Sequence, residues 1–242
     1  MKQLYYTKFK NALNNFFPFE QNPKIAIAVS GGRDSLTLML LCKLWLEEIS
    51  GSLVALTIDH KLRKDSGLEA EYVKSLCKEN NIEHHTLEWI HSTVESNMQE
   101  KARKARYKLL TDFCLKHDIL NIFTGHHLGD EIENFFIRLV NGSGIIGLSA
   151  HDITFMNNVR IVKPLKSFSK QEIYDTTTDL CHIEDPSNIS DKFLRSRIRK
   201  SLDIFLDDIS SDQMSRDFYK NNINNSISNL ALPAKLYEDT LV

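Results

Sequence analysis

Two short stretches hold the residues whose types and spacing could do chemistry. The first is Ser30-Gly31-Gly32-Arg33-Asp34-Ser35. An apolar run, Ile25 to Val29, leads into it, and Leu36, Leu38, Leu40 and Leu41 follow at spacings that suit a helix. A strand, a glycine turn and a helix in that order aim the first N–H groups of the helix at one point. The positive end of the helix dipole adds to them, so an anion is favoured there. Gly31 and Gly32 allow positive φ and close approach, and Ser30 and Ser35 offer hydroxyls. Asp34 is placed to hold a magnesium ion shared with phosphates. This stretch fits neither G-x-x-x-x-G-K-[ST] nor G-x-G-x-x-G.

The second stretch is Gly125-His126-His127-Leu128-Gly129-Asp130-Glu131-Ile132-Glu133-Asn134. Asp130 and Glu133 are three apart and share a helical face, where two carboxylates can hold a cationic amine or a metal-bound phosphate. Acidic residues also favour a helix start for its own sake, but two histidines at the end of a strand add a second reason to expect a site. His126 is assigned to the nucleotide, and Asp130 to the metal or the amine. Adjacent histidines point apart and H-E-x-x-H is missing, so a zinc centre is the weaker reading.

Cations gather in two places. Between Gln99 and Lys108, Arg103 and Arg106 share a face beside Tyr107. Guanidinium groups are natural partners of phosphate and of charge on a departing pyrophosphate. Lys192, Arg195, Arg197, Arg199 and Lys200 put five cations into nine residues without an acid, which favours RNA contact.

The elements that must position these residues alternate strand and helix. The expected order is a helix over 2–17 with an apolar face of Leu4, Phe9, Leu13, Phe16 and Phe17 that packs on the sheet, then strands at 25–29 and 53–58. A helix follows over 65–80, with Leu68, Tyr72 and Leu76 on one face, and a strand over 82–89. Next come a helix over 97–117, a strand over 120–123 and a helix reaching Val140. A fifth strand at 159–162, a helix at 169–181 and a last ordered piece at 191–205 complete the pattern. Asp59 and the histidines at 126 and 127 fall at carboxyl ends of strands, the ligand edge of a parallel α/β sheet. The fold class is therefore α/β, a Rossmann-like doubly wound parallel sheet with a helical C-terminal extension. The expected division is 1–206 as one domain and 207–242 as a short tail or truncated module.

Composition agrees. With 242 residues, 42% hydrophobic and 26% charged, the chain can bury one sizeable core. Cys42, Cys77, Cys114 and Cys181 stand alone, which signals neither zinc site nor disulfide framework and suits a reducing cytoplasm. No window reads as a signal peptide or a membrane span, so a cytoplasmic location without a membrane partner is expected. A net charge of −2 hides the two basic clusters.

The S-G-G-x-D-S stretch resembles the PP-loop of the N-type ATP pyrophosphatases, which split ATP between its α and β phosphates. The wider set is similar to the tRNA(Ile)-lysidine synthetase family. It comprises I-D-H-K-L-R (Ile58 to Arg63), A-R-K-A-R-Y (Ala102 to Tyr107), G-H-H-L-G-D-E-I-E-N, N-G-S-G-I-I-G-L (Asn141 to Leu148) and E-D-P-S-N followed by R-S-R-I-R (Glu184 to Arg199). That resemblance implies ATP as co-substrate with Mg2+. It also implies adenylation of C2 of the wobble cytidine of a tRNA(Ile) with a CAU anticodon, and displacement of AMP by the ε-amine of free L-lysine.

Carried over, Ser30, Gly31, Gly32, Arg33, Asp34 and Ser35 would hold phosphates and metal, and Asp59 would line the nucleotide. Arg106 would face phosphate, and Asp130 and Glu133 would receive the amine or the metal. Gly129, Glu131 and Asn134 replace the family's usual Asp, Gln and Thr, and Asn141 stands where Arg is common. Two alternatives remain open: a catalytically degenerate nucleotide- or RNA-binding module, and another PP-loop tRNA-modifying enzyme such as a thiolase, against which the solitary cysteines speak. A homodimer is also left open.

Overall fold

The computed structural model describes residues 2–61, 66–91, 98–149, 153–183 and 194–230. Lys192, the Glu184 to Asn188 motif, and Leu62, Arg63 and Asp65 lie outside the described residues. The chain divides into two compact units. The first comprises Met1–Gly125, Ile153–Leu165 and Glu172–Glu184; the second comprises His126–Asp152, Lys166–Gln171 and Asp185–Val242.

The first unit is built on a six-stranded sheet in the order β3-β2-β1-β4-β6-β5. Its strands are β1 (Lys24–Ala28), β2 (Ser52–Asp59), β3 (Glu83–Glu88), β4 (Asn121–Phe123), β5 (Ile153–Met156) and β6 (Val159–Val162). All neighbours pair in parallel except β5 and β6, an antiparallel hairpin at the edge. The expected doubly wound sheet is present, but β5 has no counterpart in the sequence reading. Its alternation in Ile-Thr-Phe-Met is weak, and Phe155 is exposed as befits an edge.

Three crossovers build the ligand edge. The helices α2 (Arg33–Glu48) and α3 (Ser66–Glu79) connect β1 to β2 and β2 to β3, in one direction across the sheet. The helix α4 (Met98–Lys116) then returns past β1 to β4. Right-handed crossovers in opposite directions put α4 on the face opposite α2 and α3. Leu110 and Cys114 of α4 accordingly pack with Ala26, Val54, Leu56 and Ile122 of the sheet. The reversal of strand order lies between β1 and β4, the position where open α/β sheets bind ligands.

The N-terminal helix α1 (Lys2–Leu13) ends in a 3-10 turn, Asn14–Phe16. Phe9, Leu13 and Phe16 are buried as expected, but Leu4 and Phe17 are exposed and Tyr5 takes the inner position. The helix meets α2 and the helix α7 (Lys170–Thr176), where Tyr5 donates to Asp175 at 2.6 Å and Lys8 pairs with Glu172 at 2.7 Å. The expected docking on the sheet is thus corrected to contacts with helices. On α3 the buried stripe is Ala70, Val73, Leu76 and Cys77, and Leu68 is exposed. The helix expected over 169–181 closes at Thr176, because the hydroxyls of Thr176 and Thr177 bond back to the carbonyls of Glu172 and Ile173.

The second unit is helical. It contains α5 (Leu128–Val140), the short α6 (Ile145–Leu148), α8 (Leu194–Ile209) and α9 (Gln213–Asn229). Leu128 and Ile132 of α5, Leu202 of α8 and Ile227 of α9 form its core. The last ordered element was expected to end near residue 205, yet α8 runs four residues further and α9 follows. The Asn- and Ser-rich composition of α9 hid a helix capped by Asp212, which accepts from the Ser215 N–H at 2.7 Å.

Candidate functional site

In the first unit the glycine loop is a shaped turn. β1 is buried along its middle, and Val29 donates to the Leu56 carbonyl at 2.9 Å, so the chain leaves the sheet only at Ser30. Gly31 has φ +82°, a left-handed conformation that other residues rarely adopt. A Cβ on it would stand 2.5 Å from Ile183 Cδ1. Gly32 caps α2 in extended conformation, and Leu36 donates the first helical bond to the Gly32 carbonyl at 3.0 Å. The N–H groups of residues 33–35 therefore precede the helical ladder. The Ser30 and Ser35 hydroxyl oxygens lie 3.4 Å apart. Ser35 Oγ accepts from the Ser30 N–H at 3.2 Å and donates to the Gly32 carbonyl at 2.8 Å.

Gly125, at the end of β4, fits against this turn. A Cβ there would lie 3.0–3.1 Å from backbone atoms of Asp34 and Ser35. Arg33 folds back onto the protein, with its Nε 3.1 Å from His182 Nε2 and its guanidinium 4.5 Å from the Tyr174 ring.

Asp59 ends β2, the strand beside β1, and its Oδ1 accepts from the Lys61 N–H at 2.8 Å. Next to it, His60 carries a buried Nδ1 that has no hydrogen-bond partner among the described residues. Burial, followed by the neighbouring charge of Arg106, pushes its pKa down to about 4. Arg106 therefore lies within electrostatic reach of His60, the residue that follows β2. Arg103, one turn earlier, lies over the Tyr107 ring at 5.1 Å. His182 and Tyr174 were not singled out in the sequence, and nothing local marks them, whereas His60 stands beside Asp59 inside the I-D-H-K-L-R motif.

In the second unit His127 and Asp130 form a capping box at the start of α5. His127 Nδ1 accepts from the Gly129 N–H at 2.9 Å, and Asp130 Oδ2 accepts from the His127 N–H at 3.1 Å. A Cβ on Gly129 would lie 2.7 Å from His127 Cε1, so the imidazole cap occupies the room that an aspartate here would need. Burial alone would raise the Asp130 pKa. The charges of His127 and His126, the His127 N–H and Arg195 outweigh it and hold the carboxyl below its ordinary value. His126 is half-buried at the same turn.

Glu133 is buried and faces α8. Its oxygens accept from Arg199 at 2.5 and 3.0 Å, and Arg195 lies 3.5 Å away while bonding to Asn134. Two of the basic residues expected at RNA thus turn into the helical unit, whereas Arg197 and Lys200 are exposed. Among the described residues, no three His, Cys, Asp or Glu side chains converge on a metal site. Mg2+ carried on nucleotide phosphates needs only one or two protein carboxylates, and Asp34 is an acidic residue in the first turn of α2. Burial pushes the thiols of Cys77 and Cys114 up to about 11 and about 12 and raises Cys42 as well, so these three are packing residues. No described helix is long and apolar enough to cross a membrane.

Residues 2–204 match the family model described as PP-loop domain. The chain belongs to the PP-loop family. Among curated PP-loop relatives it is 52% identical over 196 residues to the tRNA(Ile)-lysidine synthase of Orientia tsutsugamushi, a match covering 80% of this chain and 44% of that protein. It is 37% identical over 244 residues to the protein of the same name from Rickettsia felis, covering 96% and 56%. The chain spans about half the length of the curated relatives it matches. Among solved structures, the U34-tRNA thiolase NcsA of Methanococcus maripaludis shares the fold, with a TM-score of 0.77, 17% identity, and 93% of this chain and 79% of that one covered. The NH3-dependent NAD synthetase of Campylobacter jejuni follows at TM-score 0.51 and 19% identity, covering 93% and 94%.

Proposed function

We propose that this PP-loop protein is a tRNA-modifying ligase that uses ATP to activate C2 of the wobble cytidine of a tRNA(Ile) with a CAU anticodon. Pyrophosphate leaves in that step, and the ε-amine of lysine then displaces AMP to give lysidine. The observation that carries the reading is the Ser30–Ser35 turn, folded as a seat for phosphate in a chain 52% identical to a protein named tRNA(Ile)-lysidine synthase.

In this reading the unpaired N–H groups at the start of α2 and the Ser30 and Ser35 hydroxyls bind the phosphates of ATP, and Asp34 supplies a carboxylate for Mg2+, which offsets phosphate charge. Asp59 lines the nucleotide. Arg106 faces the departing pyrophosphate, where a fixed guanidinium stabilises developing charge. His126 and Asp130 at the head of α5 take the nucleotide and the amine or metal. Only a neutral amine attacks, and a depressed carboxylate such as Asp130 favours binding of the ammonium form. Glu133 acts by holding Arg199 and Arg195. Arg103, Arg197, and Lys192 outside the described residues supply RNA phosphate contacts.

The test is pyrophosphate release from ATP, with a CAU-anticodon tRNA(Ile) transcript and lysine each added or withheld. Release that needs the transcript, with lysine incorporated into it, is expected, and Asp34→Ala is expected to abolish it. Unchanged turnover in Asp34→Ala would overturn the loop assignment. Binding of ATP without release would favour the degenerate nucleotide-binding module.

A further inference from the structure

The helical unit contains a cavity of about 40 Å³ that the proposed reaction does not use. Aliphatic side chains of α5 and α8 form part of its wall, and its polar lining includes Glu133, Lys170, Arg199, Asp203 and Lys220. At roughly 10–15 Å³ per water, the space holds about three waters, the size class of one compact oxyanion.

Its lining carries three cationic side chains and two carboxylates. Glu133 is taken by Arg199 at 2.5 Å, and Asp203 by Arg216 at 2.5 Å. Two ammonium groups remain, those of Lys170 and Lys220, and among the described residues neither has a carboxylate within 4.0 Å. Lys220 is only partly exposed. Burial and the charge of Arg216 hold its pKa below the ordinary value; Asp203 and Asp217 offset only part of this, and Lys170 adds to it. A half-buried cation beside a second cation is costly unless an anion stands between them.

We infer that this cavity is a phosphate site in which Lys170 and Lys220 hold one phosphate group, with the aliphatic wall of α5 and α8 excluding water behind it. Lysine is a point-charge partner well suited to phosphate, and two of them match a group of charge near −2. The ligand is either a free phosphate or a backbone phosphate of RNA. The site goes beyond the ligase reading, and its first test needs no turnover.

That test titrates inorganic phosphate into the full chain and its Lys170→Met and Lys220→Met variants while thermal unfolding is followed by far-UV circular dichroism. Phosphate also stabilises proteins in general, so the difference between chains is the readout. The wild type is expected to gain about 3–6 °C more than either variant at a tenfold excess over Kd. Equal gains in all three would overturn the site. In a second arm, affinity for the tRNA transcript is measured against salt. A backbone phosphate in the site lowers the slope of log K against log salt by about 0.7–0.9 in each variant. An unchanged slope, with the thermal difference kept, identifies free phosphate as the ligand. Failure of lysine incorporation would count against the ligase reading and leave the thermal result intact.

Discussion

Replacing Gly31 by alanine tests the shape of the loop, with Gly32→Ala as its internal comparison. At φ +82° an alanine pays about 1–2 kcal/mol for left-handed backbone. Its Cβ would also stand 2.5 Å from Ile183 Cδ1 and 3.2 Å from Val73 Cγ2. The Ile183 backbone is pinned by its N–H donating to the Gly31 carbonyl at 2.9 Å, but its Cδ1 is the end of a partly exposed side chain and can turn aside. Overpacking then costs about 1 kcal/mol, the lower end of its usual range, for a total loss of roughly 2–3 kcal/mol. Gly32 differs. Its φ is −75°, and a Cβ would meet Ser30 Oγ at 3.6 Å and the Ile183 carbonyl at 3.8 Å, ordinary contacts. Alanine is a poorer helix cap than glycine but restricts the unfolded chain, and the two effects cancel to within about 1 kcal/mol. Both tryptophans, Trp45 and Trp89, belong to the first unit, so their fluorescence during urea unfolding reports on the right part of the chain. A loss below about 1 kcal/mol in Gly31→Ala, or an equal loss in Gly32→Ala, would refute the reasoning.

Three further outcomes follow from the geometry. Glu133→Gln strands Arg199 and Arg195, and the loss should fall near the lower end of the roughly 3–5 kcal/mol typical of a broken buried pair, because the Arg199 side chain keeps 26% of its surface exposed. Far-UV circular dichroism of denaturant unfolding would measure it, and Glu133→Gln combined with Arg199→Met should recover most of it. Asp130 has a folded pKa below its unfolded value near 3.9, so its contribution is complete above about pH 4 and disappears as pH falls through the lower folded value. The stability difference between wild type and Asp130→Asn, about 1–2 kcal/mol, should therefore be constant from about pH 7 to 5 and shrink in stronger acid; growth of the difference in acid would contradict the capping geometry. Tyr174→Ala removes the ring under Arg33, worth about 0.5–1 kcal/mol. ATP affinity measured by equilibrium dialysis should fall by about two- to fivefold, with unfolding of the first unit little changed.

The chain-local features of this protein were legible in its sequence. A buried run into Ser-Gly-Gly and then into helical leucines specifies strand, turn and helix with little help, because hydrophobic period and glycine φ are properties of neighbouring residues. The alternation from β1 to α5 followed in the same way, and with it the positions of Ser30 and Asp59 at or just beyond the carboxyl ends of β1 and β2. Where the local signal was weak the reading slipped: β5 is a short edge strand, and α9 is a helix of poor helix formers held by its cap and by Ile227. Helical faces were set by the neighbours that cover them, which is why Tyr5 replaced Leu4 and Val73 replaced Leu68 inside.

The pairings are what tertiary structure decided. Arg33 meets His182 across 149 residues, and Glu133 meets Arg199 across 66. No spacing rule connects such residues, because the contact is chosen by how helices pack and not by chain period. The same packing turns two arginines of a basic run inward and leaves Lys170 and Lys220 beside one cavity. Residue type sets what a side chain can do, and burial with the charge of its neighbours sets what it does.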